Sequence, residues 1–183
     1  MLSEERQRKN FDATGNCPMA WIQAAERFMA SVRILRGHTN NFDPTRGETG
    51  DPIPDEGLAL SVVPLLRGFA IECLLKALFL KKSCGYLAEN GKYIDITGAG
   101  ANELVQISNA VSVTFSADQR DVLKRLSIYM TSVGRYPIAK DWNRTKIQKQ
   151  PTGGKGPPTY WRYPTDDEIV DSIEEMLMKE LDV

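Results

Sequence analysis

Apolar residues recur at three- and four-residue steps through most of the chain, the spacing of helices with one buried face. Trp21, Ala25, Phe28, Met29, Val32 and Leu35 share one side of a helix over about 19–35 that stops at Gly37, with Pro18 suited to its first turn. Residues 1–16 carry no such stripe and read as a weakly ordered lead-in. Residues 38–57 are crowded with Gly, Pro, Asn and Asp, which predicts a loop. The central helix spans about 58–82, where Leu65, Phe69, Ile71, Leu74, Leu75, Leu78 and Phe79 cover most of the circumference. Pro64 lies inside it and removes a backbone donor, so either the first turn is separate or the helix is kinked there.

Ser83, Cys84 and Gly85 supply a stop, and residues 85–102 read as a connector in which Tyr93 to Ile96 form a brief extended piece. A third helix covers about 102–113 through Leu104, Val105, Ile107 and Ala110. The fourth opens on a capping box, Ser116 with Gln119, carries Val122, Leu123, Leu126, Tyr129 and Met130 on one face, and ends near Gly134. A fifth opens on a similar box, Thr165 with Glu168, and its stripe is Ile169, Ile173, Met176, Leu177 and Leu181. Residues 134–164 are too rich in Pro, Gly and Lys for regular structure, whereas Trp142, Tyr160, Trp161 and Tyr163 predict ends that pack on the helices. Strand-like alternation is nearly absent. The expectation is one all-α domain over 1–183, a bundle of four to five helices, with a long basic loop at 142–164 before a last helix at 165–182.

Composition narrows the chemistry. A chain of 183 residues, 42% hydrophobic and 26% charged, can bury one sizeable core. Its longest apolar run is broken by Glu72 and Lys76, short of the ~18 apolar residues that span a membrane. The polar N-terminus has no apolar export segment, so the expected setting is cytoplasmic and no membrane partner is expected. Three cysteines without C-x-x-C spacing argue against a disulfide framework or a zinc site. The single histidine, His38, argues against a multi-histidine metal site or a Ser-His-Asp triad. No cofactor is implied.

The net charge of -1 conceals a polarised layout. Residues 134–164 hold seven basic side chains (Arg135, Lys140, Arg144, Lys146, Lys149, Lys155, Arg162) against Asp141, whereas residues 166–183 hold eight acids against Lys179. The basic segment and the acidic helix either attract each other or leave the first to face an anionic partner, an RNA or an acidic protein.

The long helix FAIECLLKALFLKK, the short helix NELVQIS, the capped helix FSADQRDVLKRLSIYMTSV and the following GRYPIAKD resemble, taken together, the HEPN-like helical proteins of bacteria over about residues 18–141. In that superfamily a glutamate and a lysine recur on the second long helix, here Glu72 and Lys76. The resemblance implies a helical bundle, a symmetric homodimer and a setting in RNA-linked stress or defence, of toxin-antitoxin type. Its ribonucleases use an arginine followed, after four to six residues, by a histidine. Here Arg135 is followed at those distances by Lys140, Asp141 and Trp142, and Ala101 stands where a second family element carries histidine. The catalytic motif is therefore degenerate, which implies a binding or regulatory module. The alternatives are a metal-independent endoribonuclease with a rearranged site and a protein-docking scaffold.

Two sets of candidate residues follow. For catalysis they are Arg135, with a nonstandard partner, or Arg33 and His38, which reproduce the arginine-to-histidine spacing at the end of the first helix; such a pair could activate a 2'-hydroxyl and stabilise developing negative charge. For binding they are Glu72, Lys76, Arg135, Tyr136, Lys140, Trp142 and Arg144, in which cations meet phosphates and aromatic rings stack on unpaired bases. Each also has a structural reading. Arg135 can neutralise the negative end of the fourth helix while Tyr136 packs over the core. Glu72 and Lys76 can form an intrahelical pair, and a buried Glu72 could instead turn to Arg67 or Arg135.

Overall fold

The computed structural model describes residues 3–39, 55–83, 85–96, 103–133, 148–149, 155–156, 161–162 and 164–183. Among these are six α-helices, α1 (Glu4–Gly15), α2 (Pro18–Thr39), α3 (Asp55–Lys82), α4 (Leu104–Ala110), α5 (Ala117–Ile128) and α6 (Thr165–Glu180). The all-α bundle expected from the sequence is present. α5 runs directly into a π-helical turn, Tyr129–Val133. Two antiparallel hairpins of two-residue strands complete the architecture, β1 (Ala88–Glu89) with β2 (Lys92–Tyr93), and β3 (Gln148–Lys149) with β4 (Lys155–Gly156).

The core forms around α3. Ala70, Ile71, Leu74, Leu75, Ala77 and Leu78 are fully buried, as a helix apolar around most of its circumference requires. α2 lies antiparallel along it, with Trp21 beside Lys76 and the rings of Phe28 and Phe69 5.6 Å apart. Leu104 and Ile107 of α4, Leu123 and Leu126 of α5, and Val170, Ile173 and Leu177 of α6 close the remaining faces. Gly68 is where α3 and the π-turn approach: a Cβ there would stand 2.6 Å from the Met130 sulfur. Pro64 sits inside the continuous span Asp55–Lys82 and leaves no separate first turn.

Four local expectations need correction. Residues 4–15 are helical although nothing in them is buried. The Ser3 hydroxyl accepts from the Arg6 N–H at 3.4 Å, and Glu4 with Arg8 and Glu5 with Lys9 form pairs four residues apart in the favourable acid-first order. The connector holds a hairpin whose turn is Asn90-Gly91, both with positive φ, the signature of a tight two-residue turn. The basic loop includes the short pairing of β3 with β4. At α6 no Thr165 box forms: Pro164 occupies the cap position, and the Asp166 carboxylate turns back to accept from the Arg162 N–H at 2.7 Å. The Ser116–Gln119 box is present in both directions.

Candidate functional site

Of the binding candidates, Glu72 and Lys76 are found together. Both are 8% exposed, one helical turn apart on α3, and Lys76 Nζ donates to Glu72 Oε1 at 2.5 Å. The ammonium also lies 4.9 Å from the ring centroids of Trp21, on α2, and Tyr93, on β2. Burial alone would favour neutral lysine, but the Glu72 carboxylate outweighs it and raises the Lys76 pKa. Buried Glu72 therefore takes Lys76 as partner. Arg67, the other candidate described, faces α6 instead. The Cys73 thiol beside this pair is pushed up to about 11 by burial and by the Glu72 charge, which makes it an inert core group.

α1 and the β1–β2 hairpin build the outer wall of this cage. Asn16, just after α1, donates to the Ala88 carbonyl at 2.7 Å and accepts from the N–H groups of Leu87 and Ala88 at 2.7 and 3.0 Å. Asp12 accepts from Gly91 N–H at 2.9 Å, and Trp21 Nε1 donates to the Gly15 carbonyl at 2.8 Å. Gly15 is required at the contact, because a Cβ there would stand 2.5 Å from the Cβ of Ala88. Between these elements opens a groove of about 530 Å³ lined by Phe11, Trp21, Leu87 and Tyr93 and by one polar strip of α1, Gln7, Asn10 and Thr14.

A second polar centre clamps α6. Arg125 of α5 binds the fully buried Asp166 through both terminal nitrogens, one of them at 2.8 Å, and holds Asp121 at 3.2 Å. Arg162 reaches Asp166 at 2.9 Å. Burial would push the Asp166 pKa up, but the two guanidiniums and the Arg162 N–H outweigh it and hold it below the ordinary range. On the other side, Arg67, 3% exposed, lies 2.7 Å from Asp171, 3.6 Å from Asp167 and 3.7 Å from Glu174, while Arg36 of α2 pairs with Asp167. Glu174 Oε1 is buried beyond hydrogen-bond reach of Arg67, and burial lifts its pKa to about 7. The links of Arg125 with Asp166, Arg67 with Asp171 and Arg36 with Asp167 join partners some 40 to 130 residues apart and leave no local spacing to read, whereas Asp121 with Arg125 and Arg162 with Asp166 stand four residues apart and were missed although local.

Arg33 and His38 are both exposed on α2, and five residues of helix set them about 140° apart, so they do not share a face. Arg135, Tyr136, Lys140, Trp142 and Arg144 lie outside the described residues, as does Cys84. Trp161 meets the expectation of an anchored aromatic: it packs edge-on to Tyr129 with centroids 6.4 Å apart, and Arg125 stands 5.9 Å from its ring. No group of His, Cys, Asp and Glu suited to a metal ion occurs among the described residues, and none of their helices is long and apolar enough to cross a membrane. The chain matches no family model, no curated protein and no solved structure.

Proposed function

We propose that the chain is a HEPN-like binding module, homodimeric, whose basic segment contacts single-stranded RNA without cleaving it, in a cytoplasmic stress or defence role. The supporting observation is where the acidic charge goes. Six of the eight acids after residue 165 pair with cations on other elements: Asp166 with Arg125 and Arg162, Asp167 with Arg36, Asp171 and Glu174 with Arg67, Glu180 with Lys82, and Asp182 with Lys81. The acidic helix is thus largely occupied by the body of the bundle. Of the seven basic residues at 134–164, Arg162 is the one with a described place among these pairs.

β3 and β4 pair in the register Lys149 with Lys155, both of them residues of the basic segment. The homodimer rests on the family resemblance, and Ile34 of α2 and Val62 of α3 are exposed apolar side chains open to a second copy.

The test follows mobility shift and cleavage of a labelled single-stranded RNA pool at low and high salt. The expected result is a salt-sensitive shift of intact RNA, with the slope of log affinity against log salt shallower by about 0.7 for each phosphate-contacting cation removed in Lys149→Ala and Lys155→Ala. Cleavage that disappears in Arg135→Ala or His38→Ala would make the protein a nuclease. Absence of any shift would remove RNA and leave a docking scaffold for an acidic protein.

A further inference from the structure

The turn of the β1–β2 hairpin, Asn90-Gly91, is the one Asn-Gly pair in the chain. Both residues are exposed, and both have positive φ, 54° and 74°, as the turn demands. Asparagine before glycine is also a reactive pair. The next backbone nitrogen can close a five-membered ring on the side-chain Cγ, and glycine puts no Cβ in the path of attack. Each of the other seven asparagines precedes a residue that carries a side chain. In the reaction Gly91 N bonds to Asn90 Cγ, the Cγ–Nδ2 bond breaks, and the amide proton leaves with Nδ2 as ammonia. Solvent water then opens the cyclic imide at one carbonyl or the other, giving aspartate or isoaspartate.

The fold places a guard over the attacking nitrogen. Gly91 N–H donates to Asp12 Oδ1 of α1 at 2.9 Å. The stem of Arg8 covers the same residue, so closely that a Cβ on Gly91 would stand 2.9 Å from Arg8 Cγ. Attack needs this N–H released and its proton shed, and a carboxylate beside it opposes the appearance of a second negative charge. The guard itself is lightly held. α1 buries no residue of its own, and it meets the hairpin through Asp12, Gly15 and the Asn16 that follows it.

We propose that Asn90 is a site of spontaneous deamidation whose rate is set by α1: docked, the helix holds the Gly91 nitrogen on Asp12, and undocked it leaves the turn free to cyclise. The product opposes a return. Isoaspartate routes the main chain through the side-chain methylene, which a two-residue turn with the register Ala88 to Tyr93 and Glu89 to Lys92 does not accommodate. Either product also sets a new carboxylate one residue from the Asp12 contact, where like charges repel. Conversion thus loosens the outer wall of the Glu72–Lys76 cage in one direction only. It depends neither on RNA nor on a second copy.

The experiment ages the full chain in mildly alkaline buffer and maps its peptides by mass at intervals, scoring aspartate and isoaspartate at residue 90 with the other asparagines as internal controls. The parent should convert at Asn90 ahead of every control. Asp12→Ala should convert about tenfold faster, the equivalent of losing one hydrogen bond to a charged acceptor. Gly15→Ala, which forces α1 from the hairpin while keeping Asp12, should also be faster than the parent. Amide exchange on α3 verifies that each variant keeps its core. Absence of conversion at Asn90 in the parent and both variants would overturn the site. Equal rates in the parent and Asp12→Ala would overturn the guard, as would a slower Asp12→Ala, which would make the carboxylate a base that promotes the reaction.

Discussion

Glu174 is a carboxylate whose surroundings do not fully support its charge. Arg67 stands 3.7 Å away, already bound to Asp171 at 2.7 Å, with Asp167 nearby and the charges of Arg36 and Arg33 further off. Burial therefore prevails, and the group titrates near 7 instead of 4.5. A folded pKa above the unfolded one means the native state binds more protons, so this residue's contribution to stability is full below about pH 4.5 and is lost as pH rises through about 7. Glu174→Gln should remove that loss. Urea unfolding should find the variant more stable than the parent at pH 8, on the order of 2–3 kcal/mol, with the difference vanishing toward pH 4.5. A pH-independent difference would mean that Glu174 is ordinary in acidity. Asp166, with its pKa held down by Arg125 and Arg162, acts oppositely and only in more acidic solution, where stability falls as it is protonated.

At the scale of elements, what the sequence disclosed depended on whether an element carries its own apolar stripe. α2, α3, α5 and α6 do, and were legible within a few residues; the Ser116–Gln119 box located the start of α5 because both of its partners are local. α1 buries nothing, so periodicity missed it, although its acid-first pairs and Ser3 cap were present to be read. The hairpin had its signal too, Asn90-Gly91, obscured by the polar residues around it. These two weak elements are held to each other by Asn16, Asp12 and the bare Gly15. Gly15→Ala introduces a methyl 2.5 Å from the Ala88 Cβ, which lies on short strand backbone and cannot swing away. The expected cost is about 1–3 kcal/mol, the range for overfilling a packed contact. Amide exchange should accelerate at Leu87, Ala88 and Gly91 while the α3 core stays protected. Unchanged exchange at the hairpin would show that α1 is not docked through this contact.

Across the whole molecule, the candidate site was legible only in part. Glu72 and Lys76 were visible as a pair four residues apart, but the Trp21 and Tyr93 rings that enclose them come from α2 and β2, a convergence only the fold creates. The charge polarity was visible as well, yet its destination was not: the acids of α6 serve arginines on α2, α3 and α5.

That arrangement makes a prediction about how α6 is held. Asp166→Leu leaves the buried Arg125 and the partly buried Arg162 with Asp121 as their one acid among the described residues, and strips the Arg162 N–H of its acceptor. Removing one partner of a buried pair typically costs about 3–5 kcal/mol. Arg125→Met combined with Asp166→Leu leaves Asp121 and Arg162, 3.6 Å apart, as a balanced remainder, and the two apolar side chains fill the same space. The double variant should therefore unfold at higher urea than Asp166→Leu alone. If the two losses simply add, the arginine and the aspartate act separately, and the cohesion of α6 rests on its apolar stripe of Val170, Ile173 and Leu177.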